Sequence, residues 1–176
     1  MQTSRYIARI LYYLSRIAAW FFTAVFTYCF IILVLWVVGL RQSLPVQVTN
    51  KSTFIIFYPF TRTAFLLGDN TTDFIVSNFS LLAFYTIFIW FLGDVFQTFR
   101  QSKLFTSKGV SQLSRFYITN LVLPVVFLVL VGLFGQQLSD MIRISFLHVV
   151  IGIFAYFMAS LFKQGLVLQE EQDQTL

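Results

Sequence analysis

The sequence predicts an all-α membrane fold built from four transmembrane helices, and three observations carry that prediction. Four long apolar runs, at 17–40, 79–99, 113–134 and 144–162, hold about 19 to 24 residues each. A helix rises about 1.5 Å per residue, so each run can cross a hydrocarbon core about 30 Å thick. Within the four runs there is a single carboxylate, Asp94. The whole chain of 176 residues is 58% hydrophobic with a mean hydropathy of +0.80, which leaves one membrane domain, 1–176, and almost no soluble remainder. Backbone polar groups in lipid must be satisfied within their own segment, so each run should be helical. A β-barrel would instead need alternating segments of roughly ten residues, and these runs are continuous.

Residues 1–16 precede the first run and read as a basic amphipathic helix. At 100° per residue, Arg5, Arg9 and Arg16 share one side, and Ile7, Ile10, Leu11, Leu14 and Ile17 take the other. Such a helix either lies among lipid headgroups or prolongs the first span. The first apolar run is too long for a signal-peptide core, and no A-x-A-like site follows it, so it should stay as a span. Its Cys29, the sole cysteine, reads as a small buried hydrophobe.

The 38-residue segment 41–78 is long enough to hold structure of its own. Residues 46–48 and 53–58 are rich in β-formers and are separated by a turn-prone 49–52, which predicts a short β-hairpin. Asn50, Asn70 and Asn78 open N-x-S/T triplets, read here as chance occurrences in a polar loop. Between spans two and three, Thr106 is placed to cap the third helix, with Phe105 and Val110 in staple positions on either side. Pro124 cannot donate to the Asn120 carbonyl, which predicts a kink there. The fourth helix should end near Lys163-Gln164-Gly165. The segment 165–176 then forms an acidic tail with Glu170, Glu171 and Asp173, expected to fold back on the inner ends of the helices.

Lysine and arginine counts set the orientation. Arg5, Arg9, Arg16, Arg100, Lys103, Lys108, Arg115 and Lys163 fall on one side, against Arg41, Lys51, Arg62 and Arg143 on the other. Eight against four places both termini in the cytoplasm and 41–78 outside. Because these cations flank spans, the net charge of +5 points to a lipid bilayer and to no direct nucleic-acid contact.

Asp94 is the most informative polar residue, since an ionisable group inside a span is costly and usually paired. It lies roughly 9 Å above the inner end of its helix, and Asn120 roughly 10 Å above the inner end of the next. The matching depth predicts an Asp94–Asn120 hydrogen bond, either as a structural clamp or as part of an ion path. His148, the only histidine, belongs to a stripe with Ser145, Gly152, Ala155 and Ala159, a spacing suited to close helix packing. It reads as a buried, hydrogen-bonded residue, and Asp94, Asn120 and His148 form the candidate intramembrane polar cluster. No catalytic motif, metal-ligand set or phosphate-binding loop is present, so neither an enzyme nor a cofactor is expected.

The tail LFKQGLVLQEEQDQTL, through Phe162, Lys163, Gly165, Leu168, Glu171, Asp173, Thr175 and Leu176, resembles the C-terminus of a family of small bacterial four-span membrane proteins catalogued as domain of unknown function 2975. Phe105, Thr106, Val110 and Leu113 are similar to that family's entry into the third span. Gln174 departs from the pattern, and Gly109, Gln112 and Ser114 dilute the family's usual polar and basic positions. The resemblance implies a bacterial inner-membrane protein with no established activity, often accompanied by a small helix-turn-helix regulator. With the charges of the basic inner loop and the acidic tail, it makes Phe105, Lys108, Arg115, Gly165, Glu170, Glu171 and Asp173 the candidate partner-docking residues. The expected role is a non-enzymatic sensory or regulatory module that presents its inner loop and tail to a cytoplasmic partner. The alternative is a small transporter or channel subunit using Asp94 and Asn120. Self-association is left open.

Overall fold

A computed structural model describes residues 2–40, 44–49, 52–134 and 138–174. Four helices and a small sheet follow in the order α1 (Gln2–Val38), β1 (Val46–Thr49), β2 (Thr53–Phe57), β3 (Ala64–Asp69), α2 (Thr72–Phe99), α3 (Ser107–Phe134) and α4 (Leu138–Gln174). All four helices are long and apolar enough to cross a membrane. Each is longer than its predicted apolar run, α1 and α4 reaching 37 residues apiece, although α1 ends at Val38, two residues short of the end of its run.

The helices pack mainly in sequence order, α1 on α2, α2 on α3 and α3 on α4. The two outer helices each offer one narrow seam. On α1, Ala8, Ser15, Ala19 and Cys29 are buried, with Tyr12, Phe22, Phe26, Leu33 and Trp36 half-buried between and beyond them. On α4, Met141, Ser145, His148, Gly152, Ala155, Ala159 and Phe162 are all buried. Both seams alternate steps of four and three residues, the repeat that keeps one stripe facing a neighbour over many turns. The α4 stripe is the predicted one, extended by a turn at each end. Gly152 gives the close approach its room: a Cβ there would lie 2.9 Å from the Leu121 side chain on α3. The remaining faces of α1 and α4 expose Phe, Ile, Leu and Val, as lipid-facing surfaces do.

Helix ends follow local chemistry. Gly39, at φ 93°, closes α1: its N–H donates to Trp36 O and that of Leu40 to Leu35 O, satisfying two terminal carbonyls. Thr71 caps α2 by accepting from Phe74 N–H at 3.3 Å. Thr106 caps α3 as predicted, accepting from Gly109 N–H at 3.0 Å, and Phe105 and Val110 both pack against the cluster of Leu113, Ala159 and Phe162. α3 runs on through the buried Pro124 without a break in the helix.

The predicted hairpin is part of a larger structure. β1, β2 and β3 form one antiparallel sheet in the order β1-β2-β3, with Val46 opposite Ile56 and Ile55 opposite Leu67. The third strand was not anticipated, and α2 begins seven residues before the predicted span. The sheet leans on the C-terminal part of α1 and the N-terminal part of α2. Tyr28 Oη donates to Phe57 O at 2.5 Å, Phe65 packs edge-on to Tyr28, and Phe54 packs on Phe74. Residues 50–51 of the predicted turn, with Asn50 and Lys51, lie outside the described residues, as do Arg41, Thr175 and Leu176. Asn78 sits in the second turn of α2 and donates to Phe74 O at 2.9 Å.

Of the two readings of the segment before the first run, prolongation of the span is the one seen: residues 2–16 are the first turns of α1, with Arg16 turned toward α2. The expectation about the other terminus needs correction. α4 does not stop near Gly165, and the tail does not fold back; one helix continues to Gln174. Gly165 read as a helix stop because glycine weakens helices. Its function here is space, since a Cβ would fall 2.6 Å from the Phe105 ring.

Candidate functional site

Two separate polar sites lie within the apolar part of the bundle. The first joins α1 to α2. Arg16 Nη2 donates to Asp94 Oδ1 in an ion pair, and Nη1 reaches Trp90 O at 3.4 Å. The guanidinium lies 4.9 Å from the Trp90 ring and 5.3 Å from the Tyr12 ring, within cation–π range of both. Gly93 lies beneath the guanidinium, where a Cβ would meet Arg16 at 3.4 Å, an ordinary van der Waals contact. One turn further along, Trp90 Nε1 donates to Thr23 Oγ1 at 2.9 Å, and Trp20 stacks edge-on against Trp90. Each charge therefore meets its opposite, and aromatic faces shield the pair from lipid.

The second site joins α3 to α4. Asn120 and His148 are both fully buried, with Asn120 Oδ1 2.9 Å from His148 Nδ1. Asn120 Nδ2 donates to Phe116 O at 2.8 Å, which orients the amide and leaves its oxygen toward the ring. Nδ1 must then carry the proton, because two acceptors cannot bond. Phe84 and Phe88 of α2 stand perpendicular to the imidazole at 4.4 and 4.8 Å, and Tyr85 completes the wall at 5.7 Å. Ser145 Oγ, one turn away on the same stripe, is buried with no hydrogen-bond partner.

The predicted cluster of Asp94, Asn120 and His148 is thus split. Asn120 and His148 meet; Asp94 does not bond Asn120, and its partner is Arg16. Depth alone made Asn120 a candidate partner, but a carboxylate gains far more from a guanidinium than from an amide. The signal for Arg16 was in the sequence. It stands seven residues deeper along its helix than Arg9, and Asp94 six residues deeper than Arg100, a similarity obscured by grouping Arg16 with the headgroup arginines. A third polar group, also not anticipated, ties the C-terminal end of α2 to the N-terminal end of α3. Thr98 Oγ1 donates to Gln112 Oε1 at 2.8 Å, and Gln112 Nε2 donates to Gln97 Oε1 at 3.1 Å.

The candidate docking residues divide in the same way. Phe105 and Gly165 are in contact, and Phe105 also packs edge-on to Phe162 at 5.4 Å, so this pair joins the α2–α3 loop to α4. Lys108 and Arg115 are exposed on α3, as are Glu170, Glu171 and Asp173 on the last turns of α4. Near the same end, Arg5 donates to Ser102 O at 3.0 Å, and Arg100 lies 4.0 Å from the Tyr12 ring. These contacts bind the start of α1 to the α2–α3 loop.

Four apolar helices in sequence order, with polar groups paired inside, give this chain the build of a multi-pass helical membrane protein. No family model, curated protein or solved structure matches the chain.

Proposed function

We propose that this protein is a non-enzymatic membrane module that holds an acidic helix and its basic inner surface ready for a partner on the side of its termini. The observation that carries this reading is the continuation of α4 past Phe162. Its Glu170, Glu171 and Asp173 stand exposed on a helix fixed to the bundle at Gly165 and Phe105. The lysine and arginine bias supports a cytoplasmic location for that end, in a bacterial inner membrane. The family resemblance of the tail supports a small helix-turn-helix regulator as the partner. A basic surface on such a regulator would complement the acids.

Transport through Asp94 and Asn120 is the weaker reading. The two residues belong to different helix interfaces, each engaged with its own partner. The open cavity of about 320 Å³ among Phe26, Phe84, Leu123 and Phe127 is lined by apolar side chains apart from Ser80. A hydrated path needs polar groups in continuous file.

Pull-downs from the native host with the full chain and with a chain lacking 168–176 test the proposal. The full chain should recover a cytoplasmic partner that the shortened one loses. Equal recovery by both forms would remove the tail from any binding role.

A further inference from the structure

The sheet has a direction. Arg16 faces Asp94 and Trp20 faces Trp90, so the antiparallel register of α1 and α2 puts Trp36 opposite Phe74 and Tyr28 opposite Leu82. β2 starts at the first of these levels, where Phe54 meets Phe74, and ends at the second, where Phe57 O accepts from Tyr28. Eight helical residues separate the two levels, about 12 Å. Three strand steps cover about 10 Å, so β2 runs almost parallel to the helix axis and toward the bilayer. The β2–β3 turn, 58–63, therefore points down beside the helices. Phe65 and Leu66, just past it, share a cavity with Phe22 and Val25, deeper still on α1.

The bilayer surface lies at about this level. Arg143 and Lys163 bracket α4 by about 30 Å, the thickness of a hydrocarbon core. His148, five residues inward of Arg143, touches Phe84 and Phe88. Arg143 is therefore level with the stretch of α2 that holds Leu82, opposite Tyr28. The turn reaches to this level and past it.

The turn is built for such a place. Phe60 is fully exposed and is the one non-glycine residue at positive φ, 61°, among those described. A phenylalanine in that conformation is strained, and in water its ring would gain nothing in return. Tyr58 is exposed beside it, and Arg62 follows. The backbone of the turn closes on itself: Tyr58 N–H donates to Thr63 O, Thr61 N–H to Tyr58 O, and Thr63 N–H to Thr61 Oγ1. Three of its N–H groups are thereby satisfied, which lowers the cost of bringing the turn to the lipid boundary.

We infer that the β2–β3 turn inserts Tyr58 and Phe60 among the lipid chains of the sheet-side leaflet, with Arg62 at the headgroups. The sheet is a membrane-anchored wedge beside α1, not a domain standing in water. It meets lipid whichever way the protein is oriented.

Nitroxide labels at Phe60→Cys and Ser52→Cys, each in a Cys29→Ser background and reconstituted in phosphatidylcholine–phosphatidylglycerol vesicles, report the depth of the two ends of the hairpin. At position 60, oxygen should relax the label more than a water-soluble nickel chelate does; at position 52 the order should reverse. A water-like label at both positions overturns the inference. The unaltered chain supplies a second reading. A phospholipid with a photoreactive group on its acyl chain should cross-link within 58–62, and cross-links confined to the four helices would overturn the inference independently.

Discussion

Asn120 Oδ1 and His148 Nδ1 stand 2.9 Å apart where neither side chain has access to solvent. This contact joins α3 to α4 at a level where the remaining neighbours are aromatic. Interhelical hydrogen bonds in membranes contribute about 0.6 kcal/mol on average, with a maximum of about 1.7 kcal/mol. The double shielding of this pair places it toward the upper end. In a cycle of Asn120→Leu, His148→Leu and the double variant, the coupling should be about 1 kcal/mol, measured by unfolding in mixed detergent micelles. A coupling indistinguishable from zero would show the contact to be incidental.

Neutralising one member of the Arg16–Asp94 pair should be worse than neutralising both. Asp94→Asn leaves a largely buried guanidinium without its counter-charge, at about 2–4 kcal/mol. Arg16→Gln added to Asp94→Asn should recover more than half of that loss. If the double variant is less stable than Asp94→Asn, the pair is not what sets the penalty.

Gly165→Ala should destabilise, although alanine is favoured over glycine within a helix by about 1 kcal/mol. The added methyl would meet the Phe105 ring at 2.6 Å, closer than packed atoms approach. Removing the obstacle with Phe105→Ala should change the sign, so that Gly165→Ala stabilises in that background. Thermal melts of the four proteins in one detergent decide the matter.

A cysteine introduced at Ser52, in a Cys29→Ser background, should react with a membrane-impermeant maleimide in intact cells. Labelling only after membrane disruption would reverse the orientation argued from the lysine and arginine counts.

Much of this architecture is legible in the sequence because lipid imposes simple rules. Long apolar runs give the helices, and the small-residue stripe from Ser145 to Ala159 gives the buried face of α4. Thr106 gives a helix start because its hydroxyl matches an orphan N–H. What was hidden depends on partners distant in sequence. The strand Ala64–Asp69 lacks clear alternation and takes its place from pairing with β2 and from packing on Tyr28. Arg16 resembles Arg5 and Arg9 until α2 brings Asp94 beside it. Gly165 breaks a helix only where nothing needs its empty side, and Phe105 needs it.

The unbroken course of α4 has a mechanical consequence. His148 and Asp173 lie on one rod, about 37 Å apart along its axis. A flexible tether would discard any angular information between them, whereas a helix preserves phase. A small roll of α4 against α3, set by the packing around the imidazole, would swing Glu170, Glu171 and Asp173 through the same angle at the membrane surface. The acidic face is therefore geared to the bilayer interior, and its bearing reports how the two helices are seated.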